Sequence, residues 1–517
     1  MEELVLCWAK VVMVTTVVLL LLFKLVGKLW WMPRSIESHF AKQGVRGPAY
    51  RFFIGNMNEL VQMTMKASSQ PLPAYSHNIL PRVFSFYHHW KKIYGATFLV
   101  WFGPTVRLIV SNPDLIRQTL TSKSASYGKV KAYPLAKMLE GEGLITLEGM
   151  EWAHRRKLLA PIFHMENLRL LIPFVTNTVT DMLNKWSTLS ASEEVEIDVT
   201  EWFRTLTEDV ITMFVFGNSS SYEEAKAIVR LQSQQMSLVG ELINKIYIPG
   251  YRFFPTKINR TLWRLEKEFR KSLLKLVDER RASEVMSDSD NEKRFKDLLG
   301  TMIYSYPSLP VHHVVEECKT FFFAGKQTTS NMLTWTMILL AMHPNWQEQA
   351  REEAFRVYGS RETPTKDDLA QLRTLSMIIN ESLRLYSPVI ATIRRSKEAV
   401  DLGGYKVPPG IQLLMPILAL HHDQSIWGPD AHEFNPNRFA DGMARAAKHP
   451  MAFIPFGLGA RSCIGQNLAV LQAKVLLSVI LRRFSFKLAP HYQHAPTVLM
   501  LLYPQHGAPI IFKRLPS

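Results

Sequence analysis

A long apolar stretch at the amino end is the sequence feature that most constrains what this chain can form. Residues 4–23 contain one charged side chain, Lys10. About 20 apolar residues at 1.5 Å rise match a hydrocarbon core of roughly 30 Å, and a lysine near one end can extend its ammonium to the interface. A cleaved signal peptide is the alternative, but Glu2 and Glu3 replace its basic leader and no small-x-small cleavage site follows. The stretch therefore predicts a single transmembrane anchor over 4–23.

The residues after the anchor predict its orientation. Glu37 is the one acidic residue among a group of basic ones, namely Lys24, Lys28, Arg34, Lys42, Arg46 and Arg51. Positive residues favour the cytosolic side, so we expect a single-pass membrane protein with its bulk in the cytosol. Prolines and glycines interrupt the same residues, so 24–58 is predicted to be a basic hinge and entry segment.

The composition of the remainder is that of a globular protein. Hydrophobic residues make up 47% and charged residues 21% of 517 residues, which excludes a disordered or many-spanning chain. Three cysteines are too few for a disulfide framework, so we expect a reduced, intracellular protein. The net charge of +16 suits an anionic membrane surface, and without a zinc-finger or RNP-type signature no nucleic-acid partner is expected.

Helical periodicity dominates the globular part. The clearest apolar runs at helical spacing are Leu168–Trp186, Thr200–Phe216, Tyr222–Ile246 and Leu262–Arg281. Strands are few and short, with a hairpin expected from Phe98–Trp101 and Val106–Val110 and further strands at Val400–Val407 and Ile411–Met415. Residues 282–296 are polar without periodicity, which predicts an exposed loop.

The stretch from Phe456 to Gly465 reads FGLGARSCIG and frames Cys463 with glycines. Closely spaced glycines let backbone N–H groups approach a sulfur, and hydrogen bonds to a thiolate tune its donation to a metal. Arg461 can favour the thiolate and pair with a carboxylate. A lone buried cysteine is usually inert, but this framing predicts a metal ligand.

A second candidate site lies inside the predicted long helix Val314–Met342, which contains the residues AGKQTT from Ala324 to Thr329. Glycine and paired threonines lower helix stability, so their presence calls for a reason. The Thr328 hydroxyl can bond back to the Ala324 carbonyl, which bends a helix and opens a groove. A phosphate-loop interpretation is rejected, because the glycine it requires is replaced by Thr320.

Two shorter motifs place charged groups one helical turn apart. In E-x-x-R, Glu381 and Arg384 share a helix face and can pair. In W-x-x-x-R, the indole of Trp152 and the guanidinium of Arg156 can both donate to one carboxylate. Each pattern alone is common for trivial reasons, and only their combination with the other motifs is informative.

Together and in this order, the motifs resemble those of the cytochrome P-450 haem-thiolate monooxygenases. The glycine-framed cysteine resembles the haem-ligand loop, and FNPNRF from Phe434 to Phe439 resembles the motif whose arginine joins E-x-x-R. The likeness covers essentially the whole chain and overrides a length-based expectation of about three domains. It implies a mainly α fold with a small β-rich subdomain, and a single haem-thiolate monooxygenase domain over 59–517.

The resemblance also implies a haem b cofactor and roles for individual residues. Cys463 would be the axial iron ligand, and cysteinate ligation favours O–O cleavage. The remaining roles would be propionate binding by Arg461, Trp152, Arg156 and Arg394, a dioxygen groove with proton delivery at Thr328, Gly325 and Ala324, and structural support by Glu381, Arg384 and Arg438. One departure stands out: Gln327 occupies a usually acidic position, and an amide cannot relay a proton by ionising.

Segments such as Arg51–Asn56, Phe84–Trp90, Phe321–Ser330 and Tyr503–Gly507 are similar to the plant branch that hydroxylates brassinosteroids at side-chain carbon 26 and so inactivates the hormone. No dinucleotide fingerprint or flavin domain is present, so electrons are expected from NADPH through a separate flavoprotein reductase. A gibberellin, cytokinin or fatty acid stays open as the substrate. A reductase-independent isomerase or peroxygenase, and a non-catalytic haem carrier, are the rival functions.

Overall fold

The computed structural model describes residues 1–122, 126–130, 134–189, 194–217, 222–243, 253–283, 295–307 and 309–516. Helices dominate it, as the sequence predicts. In chain order the α-helices are α1 (Glu2–Val26), α2 (Met32–Ala41), α3 (Met57–Ser68), α4 (Leu80–Val83), α5 (Ser85–Tyr94), α6 (Pro113–Thr121), α7 (Pro134–Glu140), α8 (Gly149–Leu159), α9 (Met165–Leu168), α10 (Ile172–Thr188), α11 (Val199–Phe216), α12 (Tyr222–Ile243), α13 (Lys257–Ser283), α14 (Leu298–Tyr304), α15 (Val311–Met342), α16 (Pro344–Tyr358), α17 (Lys366–Gln371), α18 (Arg373–Leu385), α19 (Ile417–His421), α20 (Gln424–Trp427) and α21 (Gln466–Arg483).

The strands are short and form several small sheets. In chain order they are β1 (Thr97–Phe102), β2 (Thr105–Val110), β3 (Tyr127–Gly128), β4 (Glu194–Asp198), β5 (Thr392–Ser396), β6 (Val400–Leu402), β7 (Tyr405–Val407), β8 (Gln412–Met415), β9 (Phe484–Leu488), β10 (Pro496–Val498), β11 (Leu502–Pro504) and β12 (Pro509–Arg514). Two compact units contain these elements. The first consists of residues 1–69, 80–128 and 391–416, and the second of 70–79, 129–390 and 417–517.

The first unit begins with the predicted anchor. Within the described chain, the helix from Leu6 to Ala41 is the one unbent helix that is long and apolar enough to cross a membrane. It runs from α1 through the π-helical turn Gly27–Trp31 into α2, so the first part of the expected hinge over 24–58 is helical. Pro33, which has no N–H to donate, directly follows the π-helical turn, where the regular i→i−4 bonding pattern is already interrupted.

The sheet of the first unit has the strand order β1-β2-β8-β5-β3. Its β1–β2 hairpin pairs Thr97 with Val110 and turns at Gly103, whose φ is +60°, which confirms the expected hairpin. The strand expected at Val400–Val407 is instead a second hairpin, β6–β7, because two positive-φ glycines turn the chain in its middle.

The second unit packs its helices around α15, which is buried along most of its length. The expected helical runs correspond to α10, α11, α12 and α13, while residues 244–246 and 284–294 lie outside the described part of the chain. Its strands form the sheet β4-β12-β9 and the pair β10-β11. A bent pair, Gly149–Phe163 with Met165–Thr188, also meets the membrane-span criteria, but Val175, Val179 and Trp186 are buried in the unit. Residues 59–517 contribute to both units, and the single-domain boundary stays a prediction.

Candidate active site

The middle of α15 is more exposed than the turns on either side of it. Residues 323–325 and 327–328 are partly exposed, whereas the turns before and after them are buried. The Thr328 hydroxyl donates to the Ala324 carbonyl at 2.6 Å, which is the back-bond expected from the sequence. The hydroxyl hydrogen is used in this bond, so the Thr328 oxygen is left as an acceptor on the partly exposed stretch.

Gly325 contributes close helix packing. A Cβ at this position would lie 2.6 Å from Ile211 Cδ1 and 3.1 Å from Ile211 Cγ1, both on α11. Both distances are below van der Waals contact, so a side chain at position 325 would force the Ile211 side chain to shift its packing between α11 and α15. The sequence analysis predicts that Gly325 belongs to the dioxygen groove. In the structure, a Cβ added to Gly325 would point to α11.

The loop that carries Cys463 folds back on itself. The Cys463 N–H donates to the Phe456 carbonyl at 2.8 Å, and the N–H groups of Gly465 and Gln466 point to the thiol sulfur. Burial raises the pKa of Cys463, while these two N–H groups and the charge of Arg156 act in the opposite direction. By surface area the residue is nevertheless exposed. Cys463 is thus surrounded by protein and still exposed, as a cysteine that binds an added ligand must be.

Two arginines and a tryptophan lie against this loop. Arg156 Nη1 donates to the Ser462 carbonyl at 2.9 Å, and Arg461 Nη2 donates to the Leu147 carbonyl at 2.8 Å. The Arg461 guanidinium also lies over the Trp152 ring, 4.3 Å from its centroid. Burial lowers the pKa of both arginines, but an arginine stays protonated in proteins. The structure thus places both predicted cations and Trp152 around the cysteine loop.

Aromatic contacts join the cysteine loop to α15. A Cβ on Gly465 would lie 3.8 Å from Phe163, whose ring stacks on Phe321 of α15 with 5.5 Å between centroids. Phe321 is one helical turn before Ala324. The thiol loop and the open middle of α15 therefore belong to one region of the second unit.

The E-x-x-R motif is fully buried and fully hydrogen-bonded. Glu381 accepts two bonds from Arg384, each at 2.7 Å, and a third from the N–H of Asn435 at 3.0 Å. The remaining Arg384 N–H groups donate to three carbonyls, those of His421, Ala431 and Glu433. Arg438 lies beside this pair: its Nε is 3.5 Å from the Glu381 carboxylate without a hydrogen bond, and its Nη atoms donate to the Trp427 and Asp430 carbonyls. A buried ion pair is stable only when its hydrogen-bonding groups are paired in this way. The structural role of these residues stays a prediction.

This cluster reaches the cysteine loop through His421. The carbonyl of His421 accepts from Arg384, and its Nε2 accepts from the N–H of Ile454 at 3.1 Å. Burial lowers the pKa of His421 to about 3, so the ring is neutral and can accept this bond. The loop is therefore positioned by an ion pair in a different part of the sequence.

Arg394 lies in β5 of the first unit. It is buried, and its Nη1 donates to the Thr392 hydroxyl at 3.1 Å and to the Ile393 carbonyl at 3.0 Å. Its assignment to a haem propionate stays a prediction.

Two polar links on α15 were not anticipated from the sequence. Arg155 Nη1 donates to Glu317 at 3.0 Å and ties α8, which carries Trp152 and Arg156, to α15. Desolvation by burial raises the pKa of Glu317 to about 7. Asn331 accepts from the Gln327 side chain at 2.9 Å. A carboxylate and an amide within an apolar helical run are the signal that could have identified both links.

The residues present fit the haem that the sequence resemblance implies. An accessible thiol with backbone N–H groups directed to it provides an iron ligand, and Arg156 and Arg461 provide cations for carboxylates. The partly exposed middle of α15 borders the space that a bound group and its substrate require.

Comparisons with known proteins agree with this geometry. The family model described as Cytochrome P450 matches residues 70–511. Cytochrome P450 734A1 of Arabidopsis thaliana is 63% identical over 98% of this chain and 97% of that protein. Cytochrome P450 734A6 of Oryza sativa subsp. japonica is 53% identical over 95% of this chain and 93% of its own length. Cytochrome P450 CYP72A616 of Paris polyphylla is 42% identical over 94% of this chain and 95% of its own.

Proposed function

This chain belongs to the cytochrome P450 family of haem-dependent monooxygenases, and we propose that it hydroxylates the side chain of a brassinosteroid at carbon 26 and thereby inactivates the hormone. The accessible Cys463 thiol, held by backbone N–H groups beside two arginines, is the observation that carries the enzymatic part. The segments shared with the brassinosteroid-hydroxylating branch support the substrate class.

We assign cofactor binding to four residues of the second unit. Cys463 would ligate the iron, and the N–H groups of Gly465 and Gln466 would stabilise its thiolate. Arg461, Arg156 and Trp152 would hold the propionates, since each has a donor near the cysteine loop. When bound, haem supplies the activation of dioxygen for insertion of one oxygen atom into an unreactive C–H bond.

An apolar cluster provides the surroundings for a large hydrophobic substrate. Phe323 of α15 and Met500, between β10 and β11, pack against a buried core of Leu139, Val239, Leu242 and Leu262. Both are partly exposed and therefore border accessible space. A bound steroid buries a large apolar area and makes few polar contacts, so an apolar lining that includes Phe323 and Met500 is suitable for a steroid substrate.

Electron supply and location follow from the same proposal. Electrons would come from NADPH through a membrane-bound flavoprotein reductase, and the basic chain, with its net charge of +16, would favour docking to an acidic partner. The exposed apolar helix over 6–41 would anchor the protein in the endoplasmic reticulum membrane, with the catalytic part in the cytosol.

The test is product formation by the full chain in microsomes. A brassinosteroid such as castasterone would be supplied with and without reductase and NADPH, and products would be read by mass spectrometry. We expect a gain of one oxygen that requires both additions, located at carbon 26 by fragmentation. The matched control is Cys463→Ser, which keeps the loop but removes the thiolate.

Other outcomes would redirect the proposal. No product from a sample with verified haem and reduction would refute the brassinosteroid substrate and favour a gibberellin, cytokinin or fatty acid. Turnover with peroxide alone would favour a reductase-independent enzyme. Haem binding without any turnover would favour a carrier.

A further inference from the structure

The carboxyl group of Glu317 on α15 is bonded to two separate parts of the chain. Its Oε2 accepts from the N–H of Leu144 at 2.9 Å, and its Oε1 accepts from Arg155 Nη1 of α8 at 3.0 Å. The Glu317 side chain is fully buried, and 4% of the Arg155 side chain is exposed. Hydrogen bonds in such a low-dielectric site are electrostatically stronger than in water, so Glu317 fixes both groups relative to α15.

The first of these bonds positions the segment that leads to Arg461. A Cβ added to Gly143 would lie 2.7 Å from Glu317 Oε2 and 2.6 Å from Thr320 Oγ1, so this segment lies directly against α15. The Leu147 N–H donates back to the Gly143 carbonyl at 3.1 Å, and the Leu147 carbonyl accepts from Arg461 Nη2 at 2.8 Å. Because a hydrogen bond closes this turn, a shift of the segment at α15 moves the acceptor of Arg461.

The second bond positions α8, which carries Arg156. The Arg155 side chain binds Glu317. The next residue, Arg156, donates through Nη1 to the Ser462 carbonyl at 2.9 Å. Neighbouring residues of a helix move together, because its backbone hydrogen bonds join successive turns. Both arginines that we assign to the haem carboxylates therefore depend on one carboxyl group of α15.

Glu316, the preceding residue on α15, is bonded in a different way. Its Oε2 accepts from the N–H of Glu142 at 2.8 Å, in the same segment, but its Oε1 pairs with Arg270 of α13. The Arg270 side chain is 42% exposed, and an ion pair with an exposed partner contributes little. Within the described part of the chain, Glu316 has no bond to α8, so it provides a matched control for Glu317.

We propose that Glu317 is a positioning residue that sets the spacing of Arg156 and Arg461 for the two carboxylates of haem. The inference rests on the cofactor binding assigned in the proposed function. The two carboxylates extend from one rigid ring, whereas the two arginines come from α8 and from the cysteine loop. Arginines that are already held in place bind without the entropic cost of ordering them, so haem dissociates more slowly.

The rate at which haem leaves the full-length protein tests this without turnover. Haem-loaded protein in detergent is mixed with an excess of haem-free globin, and the transfer is followed by absorption. Glutamine has one acceptor group where the carboxylate has two, and its oxygen keeps the stronger bond, to the charged Arg155. In Glu317→Gln the NH2 group then faces the N–H of Leu144 and displaces the segment that leads to Arg461. We expect haem release about tenfold faster than in wild type.

Glu316→Gln is the matched control. Its oxygen can still accept from Glu142, and only the pair with the exposed Arg270 is lost, so haem release should stay within about twofold of wild type. Equal rates in Glu316→Gln and Glu317→Gln would overturn the proposal, because any change in this part of α15 would then have the same effect.

Two more variants test the proposal if Glu317→Gln does not fold. Arg155→Met breaks the bond to α8 alone, and Gly143→Ala moves the segment away from α15 while both bonding groups remain. Each should release haem several-fold faster than Glu316→Gln. Rates equal to that of the control in both variants would contradict a positioning role.

A double-mutant cycle with Arg461 separates positioning from a merely structural effect. In an Arg461→Gln background the arginine through which the segment acts is absent, so adding Glu317→Gln should change the release rate by less than about twofold. A second increase of about tenfold in this background would show that Glu317 acts by loosening the fold in general, and would refute the proposal.

The two proposals fail separately. If the substrate class is wrong, wild type gives no product from a brassinosteroid, while the order of the haem release rates is unchanged. If the positioning role is wrong, wild type forms the product and the release rates of Glu317→Gln and Glu316→Gln are equal.

Discussion

Substitution of Gly325 by alanine tests how tightly α15 packs against α11. The added Cβ would lie 2.6 Å from Ile211 Cδ1, and Ile211 is buried. The clash can be relieved by one specific change, Ile211→Val, because valine lacks the Cδ1 atom. The two substitutions and their combination form a double-mutant cycle. We expect the double variant to be more stable than the sum of the two single changes in unfolding free energy would give.

The magnitudes follow from the geometry. Overpacking a well-packed core by one methyl group costs about 1–3 kcal/mol, and replacing glycine by alanine within a helix returns about 1 kcal/mol. We therefore expect Gly325→Ala to lose up to about 2 kcal/mol. Ile211→Val alone should lose about 0.5–1.5 kcal/mol for the methyl group removed. In the double variant the contact with Cδ1 is gone, but the Cγ1 atom that valine keeps still lies 3.1 Å from the new Cβ and must shift slightly, so we expect a stability close to that of wild type and a coupling energy of about 1–3 kcal/mol.

Thermal unfolding of the four detergent-solubilised, haem-loaded proteins is the assay. For a protein of 517 residues, about 1 kcal/mol corresponds to about 1 °C in Tm. Replicate measurements must therefore resolve a few tenths of a degree. Additive effects, with coupling below about 0.5 kcal/mol, would refute the close-packing argument. Measuring the rate of product formation separates the packing role of Gly325 from its predicted role in a dioxygen groove. If Gly325 opens such a groove, the double variant regains its Tm but not its catalytic activity.

Three further predictions concern buried polar groups. Arg384→Lys removes two of five satisfied N–H donors, and we expect a loss of about 3–5 kcal/mol and haem loss during purification; retention of haem and an unchanged Tm would contradict this. Tyr386→Phe leaves His77 and His494 without the hydroxyl that bonds them at 2.8 and 3.0 Å, so Tm should fall by the equivalent of about 1–3 kcal/mol; no fall would show that the two rings find other partners. Burial raises the pKa of Glu317 from 4.5 to about 7, so the folded protein holds a proton that the unfolded chain releases, and stability from this group is complete below about pH 4.5 and lost as pH rises through 7. The Tm of Glu317→Gln should therefore rise relative to wild type between pH 5 and pH 8, and parallel Tm curves would count against the shift.

Local patterns predicted those parts of the site that depend on neighbouring residues. The helix around Thr328, its bond to Ala324 and the Glu381–Arg384 pair all involve side chains three or four positions apart. Helix geometry alone brings such residues together. The first hairpin likewise follows from two short apolar runs and a glycine turn.

Contacts between distant segments could not be read from the sequence. The hydrogen bond from Asn331 to the Leu502 carbonyl depends on where β11 passes α15. Likewise, the position of α11 determines which atoms a Cβ at position 325 would meet. The helix that continues through Pro33 was missed for another reason. Proline and glycine usually end a helix, but here Gly27 begins a π-helical turn and Pro33 follows it within one continuous helical run.

The cysteine loop is held from both sides by residues far away in the chain. His421 accepts the N–H of Ile454, two residues before the loop, and Arg156 donates to the carbonyl of Ser462 within it. Arg156 therefore has one observed contact, with the Ser462 carbonyl, and one proposed contact, with a haem carboxylate, and one substitution can separate them. Lysine would keep a charge for a carboxylate but, with its single nitrogen, could not also hold the Ser462 carbonyl as a planar guanidinium does. Arg156→Lys should thus disturb the thiolate, seen in the absorption of the reduced carbon monoxide complex, more than it weakens haem retention; if haem is lost first, carboxylate binding is the main function of this residue.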